Sequence, residues 1–263
     1  MALLLRTPKH MQSFPVIGLP IAATNYQEAI DWILERALLQ DQAYAVEAAN
    51  THVAALTHQD AEFAEAMAKF DLICPDGMPL VWVLNAQLPA SKRLTERVYG
   101  PTLMLETFRR TNQTQQNYRH FLLGGKESTI EKLQSHFGEK FPHSTIVGSY
   151  SPPFGTWPAD ETTRIADMIR HSGANLVWVG LGCPKQEKWI AQHKHLLPPA
   201  VYFGIGAAFA FHAGEVRQAP RLIQKIGMEW LFRLLMEPRR LFKRYFTYNS
   251  IFAYQLFRDL RKD

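Results

Sequence analysis

Four short stretches carry side chains able to do chemistry, and each follows a run that reads as a strand. Asn50-Thr51-His52 follows residues 43–49, Asp76-Gly77 follows 70–74, Gly124-Gly125-Lys126 follows 119–123, and Gly180-Leu-Gly-Cys-Pro-Lys-Gln-Glu187 follows 176–179. In the last stretch Pro184 suits a first helical position, where its missing N–H is no loss. The free amides there, with Gly182, Lys185 and Gln186, could hold an anion such as phosphate, or form an ordinary solvated strand-to-helix turn. Asp76, beside a glycine that lets a ligand approach closely, is the candidate general base; the alternative is a plain Asp-Gly turn. Arg97 could pair with a phosphate or a sugar carboxylate, or sit in a surface salt bridge. Asn50 could hydrogen-bond a sugar or nucleoside, or cap a helix. His52 could serve as acid or base, or be structural. Glu187 reads as a helix-start charge favouring the dipole rather than as a catalyst.

Other patterns are missing. There is no Asp-x-Asp pair to hold a metal on a nucleotide sugar, no Gly-x-x-x-x-Gly-Lys-Ser/Thr, no Gly-x-Gly-x-x-Gly after a strand and no Cys/His cluster with ligand spacing. These absences weaken NTPase, dehydrogenase and metalloenzyme readings.

The elements that must position these residues alternate. A short hairpin or pair of edge strands is predicted over 14–23. An apolar helical face follows over 26–39, entered through Asn25 with Glu28 three residues on. Strands are predicted at 43–49, 70–74, 119–123, 145–147, 176–179 and 200–205. Helices are predicted from 51 to about 69, over 78–85, and from 101 to about 110. Further helices are predicted from 127 to about 137, over 160–171 and over 184–195. Such alternation implies an α/β fold with a mostly parallel sheet and helices on both faces. Ligands of such sheets bind beyond the carboxyl ends of the strands, so the four stretches would gather on one rim.

The composition, 47% apolar and 20% charged, is that of an ordinary globular protein. Two distant cysteines, Cys74 and Cys183, fit a reducing compartment. The apolar N-terminus is too short for a signal peptide, and no run suffices for a membrane span. Charge is localised: residues 221–263 hold ten Lys/Arg against four Asp/Glu, whereas residues 1–220 hold 19 against 20. This divides the chain into a near-neutral core, 1–220, and a basic, aromatic-rich helical appendage, 221–263. A helix with an apolar face from Leu222 to Leu235 is predicted there, broken by Pro238 and followed by a second helical stretch. Basic residues interleaved with Trp, Phe and Tyr favour contact with an anionic membrane surface over nucleic acid, with a self-packed appendage as the alternative.

Together the motifs give the chain its resemblance. Ala49-Asn-Thr-His52, Pro75-Asp-Gly-Met-Pro-Leu-Val81, Glu96-Arg-Val-Tyr-Gly-Pro101 and Gly180-Leu-Gly-Cys-Pro-Lys-Gln-Glu187 are followed in order by Gly204-Ile-Gly-Ala-Ala-Phe209, Ala213 to Pro220, Gly227-Met-Glu-Trp-Leu-Phe-Arg233 and Glu237-Pro-Arg-Arg240. Over about residues 45–245 the chain resembles the WecG/TagA/CpsF glycosyltransferases (glycosyltransferase family 26). The resemblance implies a Rossmann-like domain with a membrane-docking C-terminal appendage that supplies arginines near the site. It implies transfer of a sugar of N-acetylmannosamine, uronic-acid or glucose type from a UDP-sugar to a polyprenyl-linked saccharide at the inner face of the bacterial membrane. The transfer would invert the anomeric centre without a metal or other cofactor. The implied base is Asp76, with Arg97 as the active-site arginine. Asn50, His52, Gly77, Gly182, Lys185, Gln186, Gly206, Arg233 and Arg240 are the implied substrate-binding positions. Two departures stand out: Ala48 where the family usually has Thr, and Ala210 where it usually has Asp. They leave open a non-catalytic UDP-sugar-binding or regulatory protein, or a membrane scaffold using only the tail. Oligomeric state, a homo-oligomer included, is open.

Overall fold

The computed structural model describes residues 11–220, 222–223, 227–259 and 261. The chain opens with a hairpin of β1 (Ser13–Val16) and β2 (Leu19–Ala22), paired antiparallel. Its two turn residues, Ile17 and Gly18, have φ of 46° and 89°. Positive φ at both central positions matches the twist of the flanking strands. Helix α1 (Tyr26–Leu39) is capped as its sequence requires, Asn25 accepting from the Glu28 N–H.

A six-stranded sheet follows. It comprises β3 (Ala43–Ala49), β4 (Leu72–Pro75), β5 (Arg119–Gly124), β6 (Thr145–Tyr150), β7 (Leu176–Gly180) and β8 (Ala200–Gly204). The spatial order is β4-β3-β8-β7-β5-β6, and every neighbouring pair is parallel. The fold is therefore α/β and Rossmann-like. The connection leaving β5 runs outward to β6, whereas the one leaving β7 runs the other way to β8. The crevice between β5 and β7 is a switch point of the kind that accepts ligands.

The helices are α2 (Thr51–Gln59), α3 (Ala61–Met67), α4 (Met78–Gln87), α5 (Gly100–Asn112), α6 (Glu127–Lys140), α7 (Glu161–Ser172), α8 (Lys185–His193) and α9 (Ala207–His212). One helix was expected from 51 to about 69. Asp60 breaks it: its backbone is extended, its N–H closes α2 on the Leu56 carbonyl, and its side chain caps α3 at Phe63. Helix α9 was not expected; it is six residues long, too short for a periodic signal.

Separate apolar layers cover the two faces of the sheet. At the centre of one, Trp178 stacks on Phe203 at 4.0 Å and donates its indole N–H to His120 Nδ1 at 3.0 Å. That leaves the His120 Nε2–H to donate to Thr111 Oγ1, also at 3.0 Å. Burial pushes the His120 imidazole down to about 3, so it is neutral in the fold.

The tail forms α10 (Glu229–Met236) and α11 (Pro238–Asp259). Residues 221 and 224–226 of the helix expected before Pro238 lie outside the described residues. Gly227, with φ of 75°, and Met228 precede a fresh helical start at Glu229. Pro238 begins α11, a first-turn placement that suits proline. Helix α11 packs along α2: Phe252 and Leu241 are buried, and Thr51 Oγ1 donates to Asn249 Oδ1 at 2.7 Å. Among the described residues no helix is long and apolar enough to cross a membrane.

Candidate active site

Asp76 is the first residue beyond β4. Its N–H donates to the Ala49 carbonyl at 2.8 Å, and the Val98 N–H donates to the Pro75 carbonyl at 2.8 Å. These bonds lay the loop carrying Arg97 alongside the strand end. Arg97 donates to the Asp76 backbone carbonyl at 3.3 Å, stacks over the Tyr99 ring at 4.3 Å and pairs with Glu229 of α10. The Asp76 carboxylate itself has one oxygen, Oδ1, that is shielded from solvent and has no hydrogen-bond partner. Burial pushes Asp76 up to about 7, with Arg97 opposing and Glu229 adding to the rise. Arg233, one turn beyond Glu229, lies over the Phe211 ring at 5.2 Å and also acts on Asp76.

The neighbouring strand ends bring in the other expected residues. Asn50 caps α2, its side-chain oxygen accepting from the N–H groups of His52 and Val53 at 3.0 and 3.3 Å. A Cβ on Gly77 would lie 3.8 Å from Asn50 Cβ, so these two stretches touch. His52 meets the ring of Tyr248 edge-on at 4.4 Å, and its Nδ1 is 3.9 Å from Cys183 Sγ. Burial pushes His52 down to about 4, so it is neutral at pH 7. Both cysteines are free thiols.

Gln186 is a buried strut. Its Oε1 accepts from the N–H groups of Gly182 and Gly206 at 3.1 and 3.2 Å, and its Nε2 donates to Glu187 Oε1 at 2.9 Å. It therefore ties the loops leaving β7 and β8 together. Glu187 lies in the first turn of α8, as expected, and is fully buried there. Burial lifts it to about 7. Glu47, in the apolar strand β3, is buried too and held well above the usual carboxylate range, first by burial and then by Glu187 and Asp76.

A cavity of about 510 Å³ opens at the β5/β7 crevice, lined by Gly124, Gly125, Gly180, Lys185, Gly206 and Ala210 among others. Its floor is bare backbone. A Cβ on Gly124 would meet Gly180 at 2.6 Å, and one on Gly206 would meet Gln186 Oε1 at 2.6 Å. Lys185 is exposed, its ammonium 4.1 Å from the centre of the Trp157 ring. A wider groove of about 1100 Å³ runs between α1 and residues 88–96, and Glu96 brings it next to Arg97.

The structure thus joins Asp76, Gly77, Arg97, Asn50, His52, Gly182, Gln186, Gly206 and Arg233 in one continuous region. Lys185 lines the cavity and is exposed. The Arg240 side chain lies outside the described residues. Glu229, Tyr99 and Glu47 belong to the same region and were not foreseen. Glu47 had a signal, a lone acid within Ala43–Ala49. Among the described residues no group of three or more His, Cys, Asp or Glu side chains could hold a metal ion.

Residues 14–263 match the model of the Glycosyl transferase WecG/TagA/CpsF family. The chain belongs to this family. Two relatives carry the name N-acetylglucosaminyldiphosphoundecaprenol N-acetyl-beta-D-mannosaminyltransferase, one from Bacillus subtilis (strain 168) and one from Bacillus spizizenii (strain W23). Each is 27% identical over 230 residues, covering 88% of this chain and 86% of the relative. Within this WecG/TagA/CpsF chain, Ala48 is buried in the core and Ala210 lines the cavity. Ala210 therefore presents a methyl group to whatever occupies the crevice.

Proposed function

We propose that the chain is an inverting, metal-independent transferase that moves a sugar from a UDP-sugar to a polyprenyl-linked saccharide, the acceptor class named for its relatives. The observation that carries this reading is the Asp76 carboxylate, shielded, lacking a partner at Oδ1 and raised by burial to about 7 against the pull of Arg97 and Arg233. A base with a pKa near the working pH combines readiness to accept a proton with a useful fraction ionised. Asp76 takes the proton of the acceptor hydroxyl as its oxygen bonds to the anomeric carbon. The bond from that carbon to the β-phosphate oxygen breaks, and UDP leaves with the electron pair. Amides at the start of α8, with Arg97 and Arg233, meet the charge that develops on the phosphate.

The crevice above Gly124, Gly180 and Gly206 suits the nucleotide, since backbone without side chains lets a diphosphate approach closely. The tail supports attachment to the inner face of the membrane. Trp230, Leu235, Phe242 and Phe246 are exposed, with Arg239 and Lys243 interleaved. Apolar side chains among cations are the composition of an interfacial helix on anionic lipid. Binding of a UDP-sugar without transfer is the second reading, motivated by Ala210; the intact surroundings of Asp76 favour transfer.

The deciding experiment incubates full-length protein with UDP-N-acetylmannosamine and a polyprenyl-diphosphate N-acetylglucosamine in anionic vesicles, with EDTA present. Product formation by the native chain and none by Asp76→Asn is expected. UDP binding without product would favour the second reading.

A further inference from the structure

Among the described residues, Arg97–Glu229 is the one ion pair whose two side chains are both nearly hidden from solvent, at 13% and 5% exposure. It joins the loop beside β4 to the first residue of α10. The pair has a consequence for its neighbour. Arg97 reaches Asp76 only through the backbone carbonyl, and Asp76 Oδ1 is left without a partner. With Glu229 engaging the guanidinium, Arg97 does not close on the Asp76 carboxylate. One further polar atom here, Arg233 Nε, is buried without a hydrogen-bond partner, and the Tyr99 hydroxyl faces the Glu229 carboxylate. Arg233 follows Glu229 at i+4, so one face of α10 presents both charges.

We propose that Glu229 is a positioning residue for the transfer: its carboxylate occupies Arg97 and fixes the register of α10, leaving the Asp76 carboxylate outside any ion pair and able to act as base. The inference rests on the reading of Asp76 as that base. An Asp paired directly with Arg has its pKa lowered and is a poor proton acceptor near neutrality. The groups facing Asp76 are Arg97 and Tyr99 from the loop, Glu229 and Arg233 from α10, Tyr26 from α1, Glu47 from β3 and the Cys74 thiol on its own strand. Replacing Glu229 removes one negative charge and releases Arg97, and both changes favour the ionised Asp76.

The test is a ¹³C NMR titration of the Asp76 carboxyl in full-length protein, with the resonance assigned by its loss in Asp76→Asn. The native midpoint is expected near 7. Glu229→Gln should lower it by about one pH unit or more, whereas Glu229→Asp, which keeps the charge, should stay close to native. If Glu229→Gln does not fold, Glu229→Ser takes its place. An unchanged midpoint in the uncharged variant overturns the proposal. Turnover separates the two readings: a native chain that binds UDP but transfers nothing sinks the catalytic reading, while the titration still judges Glu229.

Discussion

At Asp76 two properties that usually conflict are set in one side chain. Burial raises the carboxyl to about 7, which suits a base but makes its ionised form costly to the fold. In the proposed mechanism transfer needs the ionised form, so the rate should rise with pH through about 7 and fall about tenfold per unit below it. A kcat profile against pH checks this; a flat profile from pH 5 to 8 would sink the assignment. Stability runs the other way. The folded carboxyl binds its proton more tightly than the unfolded one, so its contribution is complete below the usual aspartate range and is lost as pH rises through about 7. Asp76→Asn should therefore abolish transfer, keep UDP binding and raise the melting temperature at pH 8. Calorimetry reads both of the last two quantities.

The elements around Gln186 act as a strut between two loops. Gly206→Ala would place a methyl 2.6 Å from Gln186 Oε1, so the strut or the loop must shift. We expect a loss of about 1–3 kcal/mol in denaturant unfolding and weaker UDP binding. Where α5, β5 and β7 meet, neutral His120 links Trp178 and Thr111. Its folded pKa, about 3, lies below that of the unfolded chain, so stability should fall as pH drops from about 6.5 towards 3. His120→Gln should flatten that arm by up to about 1.4 kcal/mol per pH unit, read by urea unfolding at several pH values. Most of these elements were legible in the sequence. The inner strands of the sheet are apolar runs covered on both faces, and the helices carry caps and periodic faces. What escaped depends on tertiary contact. Asp60 splits a helical run because its side chain serves the next helix, a choice that composition does not mark. Asp76 and Arg97 could be picked out as candidates from a strand end and a motif, but Glu229 lies 132 positions from its partner Arg97, and no local pattern announces such a pairing.

On the scale of the whole molecule, cationic and apolar side chains share the tail while the core is near neutral. Phe242→Ser with Phe246→Ser should reduce co-sedimentation with anionic vesicles severalfold, and added salt should weaken what binding remains. Binding unaffected by both changes would remove the tail from the membrane. The crevice between β5 and β7 adds a different consequence. Its floor admits no side chain at Gly124 or Gly206, because backbone or the Gln186 strut already fills the space. Phe154, Trp157, Lys185 and Ala210 form part of its wall, and each carries a side chain. A library meant to retune ligand choice would therefore randomise these four wall positions and leave the glycines untouched. Descendants of this chain can diversify along the same wall, while the floor has almost no room in which to drift.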